Sequence, residues 1–187
     1  MDDDAFPEKD ALKELILNSN KNICLWSNCN KDKDFVDSIK EVHDWMFVGF
    51  FIPCCIVKKI GLPRKDFFIF FDDYEYSKRI REYGYKIFKV RDSIIEHIDS
   101  SSSNITRKKI LWKNPSICKL PDWKLYYYVR NQILMYRWNE KEKWIRIIFT
   151  LPKEYIKGII LGTKQSKIFL KAYIHGIIGK SGKVVSP

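Results

Sequence analysis

Five consecutive large apolar residues, Phe67 to Phe71, stop abruptly at two aspartates, Asp72 and Asp73. Such a run, placed between a Gly61-Leu62-Pro63 turn and a pair of charges, predicts a buried strand. Behind the aspartates, Tyr76, Ile80 and Tyr83 recur at helical spacing and Gly84 supplies the stop, so a helix follows. Strand-like segments at 85–90 and 93–97 come next, the second ending at His97. This order places the chain in the α/β class. It also puts carboxylates at a strand end, where open α/β sheets bind ligands.

The flanking sequence is less sharply patterned. Pro7 fits the first turn of a helix through Leu12, Leu15 and Ile16, ended by Asn18-Ser19-Asn20. Asn22 to Ser27 reads as a short strand and 30–40 as a charged surface loop. Trp45 to Val57 is apolar but interrupted by Gly49 and Pro53, which predicts a buried loop and strand rather than a helix. Asp99 to Thr106 is a serine-rich loop. From Asp122 onward the pattern is helical, aromatic and basic; Pro152 breaks it, and further helices are expected over 153–161 and 166–178. Two regions are expected, 1–120 and 121–187.

Charge divides the chain. Residues 1–104 hold 16 Lys/Arg against 19 Asp/Glu, whereas residues 105–187 hold 18 against 4, within a net charge of +11. A basic surface of this kind meets phosphates on nucleic acid, anionic lipid or nucleotide-linked substrates. The five cysteines form no CxxC pair, which speaks against zinc and against a disulfide framework and for the cytoplasm. The longest uncharged run, Trp45 to Val57, is too short to span a bilayer.

Three sites carry chemistry: Asp2-Asp3-Asp4 behind the first methionine, Asp72-Asp73, and His97. Alternating carboxylates with one imidazole suit Mn²⁺ or Mg²⁺, since hard oxygen ligands fit both ions and imidazole favours manganese. A separate carboxylate nearby would serve as a general base. Taken singly, each has an ordinary explanation: a frayed acidic terminus, a helix N-cap, a structural histidine. Their joint order is more telling.

In that order, MDDDAFPEKDAL, FVGFFI, GLPRKDFFIFFDDYEYSKRI, YGYKIFKV, IIEH and YYYVRNQ resemble the successive motifs of family 2 glycosyltransferases of the GT-A fold, of the galactofuranosyl- and rhamnosyltransferase type. The resemblance runs from residue 1 to about residue 140. It implies the C-terminal part of a GT-A domain followed by a helical region, and inverting, metal-dependent transfer from a nucleotide-sugar donor to a glycan or lipid-linked acceptor in cell-surface polysaccharide synthesis. It implies Asp2, Asp4 and His97 as ligands of Mn²⁺ or Mg²⁺, Asp3 near the donor ribose, Asp73 as the base, and Asp72 on sugar hydroxyls. Trp45, Gly49 and Phe50 would shape the sugar pocket, and Tyr128, Arg130 and Asn131 would reach phosphate or acceptor oxygens. The chain would begin at the family's DxD motif, with the nucleotide-binding half preceding it, and by itself would bind manganese weakly and transfer no sugar.

The basic C-terminal helices, with Trp123, Trp138 and Trp144, would sit at the inner face of the cell membrane, or else the tryptophans pack on the catalytic core and the lysines are solvated. No nucleic acid is expected, because no nucleic-acid motif is present. The alternatives are a non-catalytic basic module binding anionic lipid or nucleic acid, and an inactive remnant of a glycosyltransferase.

Overall fold

A computed structural model of the chain describes residues 5–30, 35–97, 105–107, 116–118, 120–139, 141–160 and 165–186. The chain divides into two compact units, Met1–Pro63 with Asp73–Asp99, and Arg64–Asp72 with Ser100–Pro187. The class is α/β.

The first unit is built on a mixed five-stranded sheet. Strand β2 (Ile23–Cys29) runs parallel to β5 (Lys86–His97), and β4 (Phe50–Phe51) pairs antiparallel with the other edge of β2. On its far side β5 is paired twice, by β3 (Ile39–Val42) along Ile87–Val90 and by β1 (Ala5–Pro7) along Ile95–His97. The two expected segments 85–90 and 93–97 are thus one strand with an irregularity between them. Ser27 lies opposite Val90 and Asn28 opposite Ile94. Ser93, in the extra stretch, is fully buried and donates to the Ala11 carbonyl (2.8 Å), which leaves it to accept from Ser27 Oγ (2.8 Å). Two buried hydroxyls and a carbonyl therefore satisfy one another where the ladder slips.

Three helices belong to this part of the chain: α1 (Ala11–Leu17), α2 (Cys54–Ile60) and α3 (Asp72–Glu82). Helix α1 starts later than expected, because Pro7 ends the edge strand β1, where a residue without an N–H is tolerated. Helix α2 corrects the expectation of no helix in Trp45–Val57: Pro53 stands before its first turn and Gly61, at φ +83°, stops it. Tyr76 and Ile80 of α3 join Cys24, Trp45, Ile56, Ile60 and Ile87 in one core. Tyr83, expected on the same face, is half exposed, and Gly84 turns the chain at φ +82°.

The second unit holds α4 (Asp122–Asn139), α5 (Lys141–Ile160), α6 (Ser166–Ile178) and a two-stranded ribbon of β6 (Ile105–Arg107) with β7 (Ser116–Cys118). Tyr126, Tyr127, Val129 and Ile133 of α4 form its core with Leu151, Phe169 and Ala172. Gly176 lets α6 approach α4 closely, since a Cβ there would sit 2.8 Å from Ile133 Cβ. Pro152 lies inside α5 rather than breaking it. Proline strips the Ile148 carbonyl of its helical donor, and the Tyr173 hydroxyl of α6 replaces it at 2.9 Å.

The expected strand Phe67–Phe71 is absent. Phe68, Phe70 and Phe71 have φ of 66°, 65° and 67°, and the segment is a tight series of bends. Left-handed backbone costs a non-glycine residue about 1–2 kcal/mol, so three in four positions need an external hold. Asn131 and Arg130 supply it. Asn131 Nδ2 donates to the carbonyls of Phe67 (2.8 Å), Ile69 (2.6 Å) and Phe70 (3.1 Å), and Arg130 Nη2 donates to those of Asp66 and Phe67 (both 3.1 Å). Among the described residues no helix is long and apolar enough to cross a membrane.

Candidate functional site

The end of the sheet at which β5 finishes holds His97, and Gly49 packs against Ile95 beside it. The β1–β5 register sets Ala5 opposite His97 and Pro7 opposite Ile95. Ala5 is the residue that follows Asp4 in the chain. Asp2, Asp3 and Asp4 themselves lie outside the described residues. Among the described residues no three His, Cys, Asp or Glu are grouped to hold a metal.

The segment 45–50 packs on two parts of the first unit. On one side Val48 packs with Ala5 and Ile95, and the Gly49 carbonyl accepts the Ser27 N–H (3.0 Å). A Cβ on Gly49 would stand 2.6 Å from Ile95 Cδ1 and 2.7 Å from Ser27 Cβ, at a φ of +71°. The space above this glycine is therefore filled by protein, and packing within the unit accounts for the residue type. On the other side Trp45 stacks on Phe50 (3.3 Å between centroids, 5° between planes) and meets Tyr76 edge-on at 6.2 Å. Tyr76 is one turn beyond Asp73, so the first turn of α3 lies beside this aromatic segment. Trp45 is buried in the core, whereas Phe50 is half-buried.

Asp72 and Asp73 open α3, at the end of the helix whose dipole attracts negative charge. Asp73 Oδ1 accepts the Tyr74 N–H at 2.7 Å, and its carbonyl accepts Ser77 Oγ at 2.7 Å. Both carboxylates are partly exposed. Two further charges of the same motif have a structural role that sequence reading did not assign. Glu75, buried, pairs with Arg79 at 2.7 Å, and Arg79 also donates to the carbonyls of Ile60 and Leu62 (both 3.1 Å). Their separation by four residues, on a helix, was the available signal.

Tyr128, Arg130 and Asn131 belong to the second unit and differ from expectation. Arg130 and Asn131 are fully buried. Besides its carbonyl contacts, Arg130 donates to Asn131 Oδ1 (2.8 Å from Nε, 2.7 Å from Nη2) and to the Gly182 carbonyl (2.5 Å), with the Tyr127 ring 4.8 Å away. Burial draws its pKa below the usual arginine value, against the opposing pull of Tyr126, Tyr127 and Asp66. Two side chains expected to reach substrate oxygens thus hold the loop that leads into Asp72. Tyr128 is 40% exposed and packs against Phe70 and Phe71.

Compared with models of known protein families and with curated proteins, the chain matches none.

Proposed function

We propose that the chain is part of a metal-dependent glycosyltransferase of GT-A type, which moves a sugar from a nucleotide-sugar to a glycan or lipid-linked acceptor. The observation that carries this reading is the pairing of Ala5 with His97. Residues 2–4 and residue 97 are 93 or more positions apart in sequence, and a sheet register that joins the segments next to them is what a shared ligand set requires. The segment 45–50 packs against Ile95 through Val48 and against Tyr76 of α3 through Trp45.

In this reading Asp2, Asp4 and His97 would hold Mn²⁺ or Mg²⁺, which when bound would supply charge neutralisation at the departing diphosphate. Asp73 takes the proton of the acceptor hydroxyl as its oxygen attacks the anomeric carbon. The bond from that carbon to the diphosphate oxygen breaks on the opposite face, so configuration inverts. Asp72 binds sugar hydroxyls, Asp3 the donor ribose, and Phe50 offers an apolar face to the sugar ring.

The test is manganese binding, followed through the loss of the free-ion electron paramagnetic resonance signal. Asp4→Asn and His97→Ala each weaken binding about tenfold or more, and Asp73→Asn leaves it unchanged. In a preparation that transfers sugar, Asp73→Asn lowers turnover by about a hundredfold or more. Manganese affinity indifferent to both Asp4 and His97 would sink the proposal.

A further inference from the structure

Helix α6 is apolar on two opposite faces, and among the described residues one of them packs against α4 and α5. Phe169, Ala172 and Gly176 point inward against α4 and α5. Leu170, Ile174 and Ile178, spaced four apart, form a stripe on the opposite side and are 58%, 46% and 64% exposed. Lys167 and Lys171 flank this stripe and are exposed as well. From Tyr155 to Pro187 the chain has six lysines and no acidic residue. On the neighbouring helix α5, Phe149 and Ile156 are also exposed, at 69% and 55%.

We infer that the outer face of α6 is a docking surface for an anionic lipid membrane, on which the helix lies flat. The occupant has to be apolar and negatively charged at once. Nucleic acid offers phosphates but leaves three aliphatic side chains in water. A second copy of the same face would set lysine against lysine. A bilayer with anionic headgroups satisfies both demands: the aliphatic stripe enters the headgroup–acyl boundary while the lysine stems run along it and their ammonium groups reach the phosphates. At 13 residues α6 measures about 20 Å, too short to cross the hydrocarbon core, so it binds in the plane of the surface. Two of the tryptophans expected there pack on the protein, and the side chain of Trp144 lies outside the described residues. Trp123 packs on the helical core, and Trp138 stands edge-on to Phe67 (5.6 Å) under Arg64. This surface does not depend on sugar transfer and stands or falls separately from it.

The experiment is co-sedimentation of the full chain with vesicles of phosphatidylcholine alone, or mixed with phosphatidylglycerol. Binding is expected to the mixed vesicles only, and to be released by salt. Each of Lys167→Gln and Lys171→Gln lowers partitioning about fivefold, and Leu170→Ser with Ile174→Ser lowers it about tenfold or more. Circular dichroism of these surface variants should match the parent. Equal binding to neutral vesicles would overturn the inference, as would full retention by the double serine variant, which would mean polyanion attraction alone. A concentration-dependent dimer dispersed by Ile174→Ser, without vesicle binding, would assign the face to self-association and overturn it too.

Discussion

Asn131 shows how one side chain can decide the course of a loop. Its amide donates to three carbonyls of 67–70 and its oxygen accepts twice from Arg130, so every polar atom is committed. Asn131→Ala would leave buried carbonyls short of donors and remove one of Arg130's acceptors, while three phenylalanines stay left-handed. Loss of about 2–4 kcal/mol is expected, read from the urea midpoint of unfolding. An unchanged midpoint would mean that the loop holds its shape without the clamp. Sequence could not foretell this. An Arg-Asn pair on a helix looks the same whether it faces solvent or a carbonyl cluster, because the partners lie more than 50 residues away.

Among the elements, α5 is instructive because it tolerates an interior proline. The Ile148 carbonyl, deprived of its helical donor, takes the Tyr173 hydroxyl. Tyr173→Phe should therefore cost about 1 kcal/mol with Pro152 present. With Pro152→Ala the alanine N–H can serve Ile148, and the cost of Tyr173→Phe should fall toward zero. A double-mutant cycle of thermal or urea unfolding measures that coupling, and additive costs would show that the hydroxyl is not the substitute donor. The helical pattern of α3, α4 and α6 was legible from periodicity and from Gly84 and Gly179. Helix α2 was not, since seven residues behind a proline carry too little periodicity to separate helix from strand.

At the scale of the whole molecule, the two units have separate cores and separate chemical sensitivities. His175 of α6 has its pKa drawn below the ordinary histidine value, first by burial and then by Lys180, Lys171 and Arg130. Its Nδ1 lies 2.6 Å from the Tyr126 hydroxyl, which a neutral ring accepts. The folded state then binds fewer protons than the unfolded one. The stabilisation is complete above about pH 6.5 and is lost as pH falls through the depressed folded value. Cys24 reports on the other unit: burial, with a smaller contribution from Cys55, pushes its thiol up to about 12. His175→Gln should flatten the acid dependence of unfolding in the helical unit without changing the slow alkylation of Cys24. Faster alkylation of Cys24 in that variant would show that the two cores are not independent.

The sequence by itself determined the class, the strand at β2, the helices α3, α4 and α6, and the three clusters of candidate chemistry. These are local properties, written in periodicity, glycine stops and runs of apolar residues. Only the tertiary structure decided that Phe67–Phe71 is a left-handed loop, that Arg130 and Asn131 are buried, that 85–97 is one strand, and that β1 brings Ala5 to His97. Each of these depends on hydrogen-bond partners distant in the chain. A backbone carbonyl or a sheet register carries no mark in the residue that provides it, so its partner is settled only when the chain has closed on itself.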